Sequence, residues 1–166
     1  DEKTTEIVGP TLRKDNLKVN DDKTEHTSIK RSERQMETWR NVKKLGSLLG
    51  DNEDITNTKN LATSATTKIN NIWIRSIKIS LSKRQALYNS IVKSVLLYNC
   101  ETWGLKRMST KNLNSFHRKQ LKIVLNIRHP HHISNEAVYR LCNTEPISLE
   151  ILKRRWRFFG HTLRLE

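Results

Sequence analysis

Ser82-Lys83-Arg84-Gln85-Ala86-Leu87-Tyr88-Asn89-Ser90-Ile91-Val92-Lys93-Ser94-Val95-Leu96-Leu97-Tyr98 is the most apolar helix-like stretch of the chain. Leu87, Ile91, Val95 and Tyr98 recur every three or four residues, and Val92 and Leu96 widen the stripe, which is the spacing of one face of an α-helix. Ser82 with Gln85 three residues later reads as a capping box at its start. A helix this apolar belongs at the centre of a bundle, and the segments on either side supply its neighbours.

Upstream, Ile55, Ala62, Ala65, Ile69, Ile72 and Trp73 mark one face of a helix that Asp51 or Asn52 would cap. Downstream, a helix over residues 110–126 would bury Leu113, Phe116, Leu121, Val124 and Leu125 and turn Lys111, Arg118, Lys119 and Lys122 outward. Pro130 ends that run. Ser134 caps a short helix carrying Val138 and Leu141, and Ser148, after Pro146, caps a last one carrying Leu149, Leu152, Trp156, Phe159 and Leu163. Trp156 is expected in the core, opposite the arginines. Residues 1–52 are different: Gly9-Pro10 and scattered polar residues leave too few apolar positions to close a core, with short strands expected over 24–31 and 42–49, a bend at Gly46, and a polar turn or short helix over 32–40. The expected fold is mainly α: a basic bundle of about five helices in segments 53–106 and 107–166, preceded by a small, incomplete α+β segment over 1–52.

Charge narrows the partners. The net charge is +14 and the pI about 10.1, which points to a polyanion, nucleic acid or an anionic membrane. Residues 1–52 carry 11 basic and 10 acidic side chains, residues 53–106 carry 8 and 3, and residues 107–166 carry 12 and 4, so the polyanion should meet the second half. Lys111, Arg118 and Lys122, at spacings of seven and four, share a helical face. Lys153, Arg154, Arg155 and Arg157 cluster around Trp156, and the 12-to-4 imbalance is expected to leave these rows without acidic partners.

Other chemistries find little support. Cys100 and Cys142 are too few and too far apart for a disulfide framework, which fits a reducing compartment, and neither they nor His129, His131 and His132 have zinc-ligand spacing. No glycine-rich phosphate loop or nucleophile motif is present. No run reaches the ~18–20 apolar residues that span a bilayer, and the charged N-terminus is unlike a signal peptide. An intracellular protein, cytoplasmic and nuclear, is expected. The chain starts at Asp1 without Met and stops at Glu166 with a helical pattern still running, as a piece of a longer polypeptide would.

Two runs near the start carry a resemblance. Leu17-Lys18-Val19-Asn20-Asp21-Asp22-Lys23-Thr24 and, downstream, Asn41-Val42-Lys43-Lys44-Leu45-Gly46-Ser47-Leu48-Leu49-Gly50-Asp51 resemble the last two palm blocks of reverse transcriptases from non-LTR (LINE-type) retrotransposons. The resemblance continues through residues 87–103, ending Glu101-Thr102-Trp103, then Phe116 to Leu121, Ile127-Arg128, Ser134 to Glu136, and Arg155 to Arg164. It implies a palm remnant over 1–52, a helical thumb over 53–106 and a basic C-terminal extension over 107–166. It implies a motif-D-type role for Lys23 beside a triphosphate, a primer grip at Lys43, Lys44 and Gly46, and backbone contacts from the basic helical rows to an RNA–DNA hybrid or template strand.

The same resemblance puts the metal-holding carboxylates upstream of the chain, so Mg²⁺ is expected only in the intact polymerase, together with its palm and fingers. Asp21 and Asp22 fall in the block after the metal-binding turn, and this chain is expected to be inactive alone. The alternatives are a basic helical module that binds a protein or a membrane, a degenerate remnant, and an active polymerase using Asp21 and Asp22.

Overall fold

The computed structural model describes residues 40–76, 78–127 and 131–164. The expected strand over 24–31, nearly all of the turn or helix over 32–40, and Lys23 with its block lie outside the described residues. What is described is mainly helical. A minimal hairpin, β1 (Lys43–Lys44) and β2 (Ser47–Leu48), pairs antiparallel with Lys43 opposite Leu48. Five helical runs follow among the described residues: α1 (Asp51–Ile69), α2 (Leu81–Leu87, prolonged through Leu96), α3 (Arg107–Val124), α4 (Asn135–Leu141) and α5 (Ile147–Thr162). The segment 42–49 is therefore a hairpin rather than one bent strand.

α1 begins where Gly50, not Asp51 or Asn52, takes the cap position in extended backbone, leaving Asp51, Glu53 and Asp54 in the first turn. Carboxylates there meet the positive end of the helix dipole. Ile55, Ala62 and Ile69 are buried as the periodicity requires. The helix then changes pitch: Asn70–Ile74 is π-helical, with Arg75 N–H donating to Asn70 O at 3.0 Å. A turn with i→i+5 bonds holds one residue more than an α turn. Ile74 consequently faces inward in place of Trp73, which is half exposed.

A similar shift corrects α2. Ser80, rather than Ser82, occupies the cap position, and Gln85 Nε2 donates to Leu141 O at 3.2 Å instead of closing a capping box. Tyr88–Lys93 is π-helical. The fully buried row is Tyr88, Val92 and Leu96, with Leu97, while Ile91 and Tyr98 lie outside. The residues read as the margin of the stripe are its centre.

α3 buries Leu113, Leu121 and Val124 as expected, and adds His117 and Gln120; Phe116 and Leu125 pack at the edge. Its end is a Schellman motif, with Ile127 N–H on Lys122 O, Asn126 N–H on Ile123 O, and Asn126 at φ 57. α4 ends the same way through Asn143 at φ 40, after a start capped by Ser134 Oγ on Ala137 N–H at 3.1 Å. One buried apolar cluster takes residues from all five helices, from Ile55 to Ile151. Each fully buried Leu or Ile in it contributes roughly 1.5–3 kcal/mol of hydrophobic burial.

The last helix departs most from expectation. α5 buries Ile147 and Ile151, while Leu149, Leu152, Trp156, Phe159 and Leu163 all face outward, Trp156 at 70 % exposure. Ser148 is not its cap. Pro146 precedes the first turn, and Ser148 instead joins α5 to α3, its N–H donating to Asn114 Oδ1 at 3.1 Å and its Oγ accepting from Asn114 Nδ2 at 3.0 Å.

Candidate nucleic-acid interface

The hairpin turn is Leu45-Gly46, with φ of 50° and 87°. Two consecutive left-handed residues match the twist of a two-residue hairpin, and glycine takes such a φ without a Cβ penalty. The turn is tied to α2: Tyr98 Oη donates to Leu45 O at 2.7 Å, and a β-carbon on Gly46 would stand 3.4 Å from the Tyr98 ring. Beneath it sits Asp54, 1 % exposed, accepting from Leu48 N–H at 2.8 Å on one oxygen and from Trp103 Nε1–H at 2.7 Å on the other. These bonds fix the hairpin between the start of α1 and the segment after α2. Lys43 is exposed beside the turn.

α3 carries Arg107, Lys111, Arg118, Lys119 and Lys122 and no carboxylate. The helix is unbroken across Lys111, Arg118 and Lys122, so their spacing does place them on one side. Lys111 is exposed, Arg118 and Lys122 are partly so, and Arg118 Nη1 donates to Tyr139 Oη at 3.3 Å. None of the five pairs with a carboxylate of the described residues.

The cations of α5 are engaged differently. Lys153 pairs with Glu145, Arg154 Nη2 lies 3.5 Å from Glu150 and its Nη1 donates to Leu97 O at 3.4 Å, and Arg155 Nη2 donates to Trp103 O. Glu150 also holds Lys93 at 2.9 Å. The expectation that this cluster lacks acidic partners is therefore corrected, and the Glu150–Arg154 spacing of four was the signal in the sequence. Arg157 is exposed and makes no ion pair among the described residues.

An open cavity of about 980 Å³ lies between α4, α5 and the end of α2. Lys93, Arg140, Arg154 and Arg157 line it, opposed by Glu101, Glu145 and Glu150. Lys93 and Arg140 were not singled out by sequence, because only packing brings them beside α5.

Below this surface the titratable groups are held uncharged. Tyr88 Oη and His117 Nδ1 are 2.7 Å apart in the core. Burial, then the positive charge of Lys93, lowers the His117 pKa to about 4, so the ring is neutral at pH 7, and burial pushes the Tyr88 hydroxyl beside it above its usual range. Burial raises Cys100 to about 12, and Cys142 is also raised. Thiols held protonated are poor nucleophiles and metal ligands. No three His, Cys, Asp or Glu side chains gather as a metal site among the described residues. The described residues therefore offer Mg²⁺ no carboxylate cluster, and Asp21 and Asp22 lie outside them.

Comparison with protein-family models, curated proteins and solved structures found no match. No helix among the described residues is long and apolar enough to cross a membrane.

Proposed function

We propose that this chain grips the sugar-phosphate backbone of a nucleic-acid duplex through the basic side of α3, as a thumb-like, non-catalytic part of a non-LTR retrotransposon reverse transcriptase. The observation that carries the proposal is α3 itself, five cations with no carboxylate in the helix and none paired to it among the described residues. Cations not neutralised by a carboxylate release a duplex's counterions on binding, and a rigid helix spaces them along a backbone without reading sequence. Lys43, beside a turn anchored to Tyr98, adds a second contact of the kind a primer grip makes. Of the α5 cluster, Arg157 is the cation that binds without first giving up an ion-pair partner among the described residues. The family assignment rests on the ordered motif series, and the RNA–DNA hybrid as preferred ligand rests on it too.

Fluorescence anisotropy of the whole chain with a labelled RNA–DNA hybrid, across a salt series, tests this. Binding should weaken steeply with salt, and changing Lys111, Arg118 and Lys122 together to Ala should reduce the log–log slope by about 2–3. No binding at low salt, or an unchanged slope in the triple variant, would overturn the proposal.

A further inference from the structure

The open cavity of about 980 Å³ between α4, α5 and the end of α2 has the size of a small-molecule site, but its walls are charged where most such sites are apolar. α5 supplies Glu150, Lys153, Arg154, Arg157, Phe158 and His161 to it, at steps of three, one, three, one and three, which make a single side of the helix. Part of this charge is already neutralised. Glu150 holds Lys93 at 2.9 Å and Arg154 at 3.5 Å, and Glu145 holds Lys153. Arg154 also donates to Leu97 O, so much of the lining is braced before any ligand arrives. Arg140 of α4 and Arg157 of α5, both exposed, line the same cavity and make no ion pair among the described residues. Of the three lining carboxylates, Glu101 alone has no ion pair among the described residues.

Two guanidinium groups brought to one cavity by different helices suit an anion with several oxygens, because each planar fork can bond a phosphate through two N–H groups. His161, one turn beyond Arg157, adds a ring nitrogen to the same side. The lining also has an aromatic part. Phe158 is 53 % exposed and meets Phe159 edge to face with centroids 6.3 Å apart. Tyr139 is fixed by Arg118 Nη1 on its hydroxyl and packs with the His117 ring at 6.2 Å. Proteins that hold unpaired nucleic acid combine the same two parts, a cation for the phosphate and an exposed ring on which a base stacks. Glu101 leaves an acceptor for a ring amino group such as that of adenine. We infer that the cavity between α4, α5 and the end of α2 binds one unpaired nucleotide unit, its phosphate on Arg140 and Arg157 and its base against Phe158. A free nucleoside phosphate and a base splayed from a single strand share this chemistry, and the open mouth admits both. None of the α3 cations lines the cavity, so this site goes beyond the duplex grip, with Arg157 the one residue common to both.

Isothermal titration of the whole chain with adenosine 5′-monophosphate tests this, beside ribose 5-phosphate, which lacks the base, and adenosine, which lacks the phosphate. The monophosphate should bind at least about tenfold tighter than either. Arg140→Gln and Phe158→Ala should each weaken it about fivefold or more, the scale of a lost charge-assisted hydrogen bond or a lost stacked ring. Both side chains are exposed, so far-UV circular dichroism should stay unchanged in both variants. Binding of a blunt hybrid should stay unchanged in them too, and changing Lys111 and Lys122 to Ala should leave nucleotide binding as it was, so the two sites fail or stand separately. A single-stranded oligonucleotide that displaces the monophosphate would identify the strand as the source of the unit, and lack of displacement would identify a free nucleotide; the site stands in both cases. Equal binding of ribose 5-phosphate would mean mere attraction of an anion to a basic chain and would overturn the inference. So would no binding of the monophosphate, or binding that neither Arg140→Gln nor Phe158→Ala weakens.

Discussion

α3 and α5 are both basic, amphipathic and at least four turns long, yet they use their surfaces in opposite ways. On α3 the apolar stripe expected from periodicity is the one the core takes, and the cations have no carboxylate partner among the described residues. On α5 the expected stripe is turned outward, the core takes Ile147 and Ile151, and Lys153 and Arg154 are paired with Glu145 and Glu150. Counting charges therefore overstates the phosphate-binding capacity of α5, and counting apolar residues overstates its share of the core. Available charge is what remains after internal pairing, and among the described residues α3 keeps more of it than α5.

The strongest test of this contrast compares the same substitution on the two helices. Leu113→Ala removes a fully buried side chain of α3 and should cost about 3 kcal/mol, whereas Leu152→Ala on α5 should cost less than about 0.5 kcal/mol, both read from urea unfolding. A comparable loss at Leu152 would mean that the outer row of α5 is part of the core after all.

Acid should act on the buried side of α3 next. His117 has a folded pKa of about 4, below its unfolded value, so the unfolded chain binds more protons between those values. Stability is then intact above the unfolded pKa and falls as pH drops toward 4, by roughly 2 kcal/mol between pH 7 and 5. His117→Gln should flatten that dependence even if it lowers stability overall. A pH profile identical to that of the unaltered chain would show that His117 does not titrate in this way.

The smallest effect concerns the paired cations. Glu150→Gln removes the carboxylate that holds Lys93 and Arg154 and should make α5 more like α3, tightening hybrid binding by up to about fivefold, the scale of a surface ion pair. Unchanged affinity would place α5 away from the duplex and leave α3 as the whole interface.

Much of this architecture was legible because its signals are local. The periodicity at 55–69 and 113–124, the Ser134 cap and the bend at Gly46 depend on residues within a few positions of one another, and each is present in the fold. The register of α2 was not legible. Its π-helical turn moves the inward row to Tyr88, Val92 and Leu96, and Tyr88 meets His117 29 positions away. The row Lys111, Arg118 and Lys122 follows from spacing, while the engagement of Arg154 and Arg155 with the carbonyls of Leu97 and Trp103 depends on contacts across more than fifty positions.

The sequence by itself determined that the chain is basic and mainly helical, and which side chains share each helical face, because helical pitch is a property of consecutive residues. Tertiary structure decided which of the two apolar faces of α5 is buried. That choice was made by Asn114, Leu97 and Trp103, which hold the Ile147–Ile151 side against α3 and the end of α2. A helix has one set of faces but can bury only the one its distant neighbours reach, and the other row of α5 stays exposed.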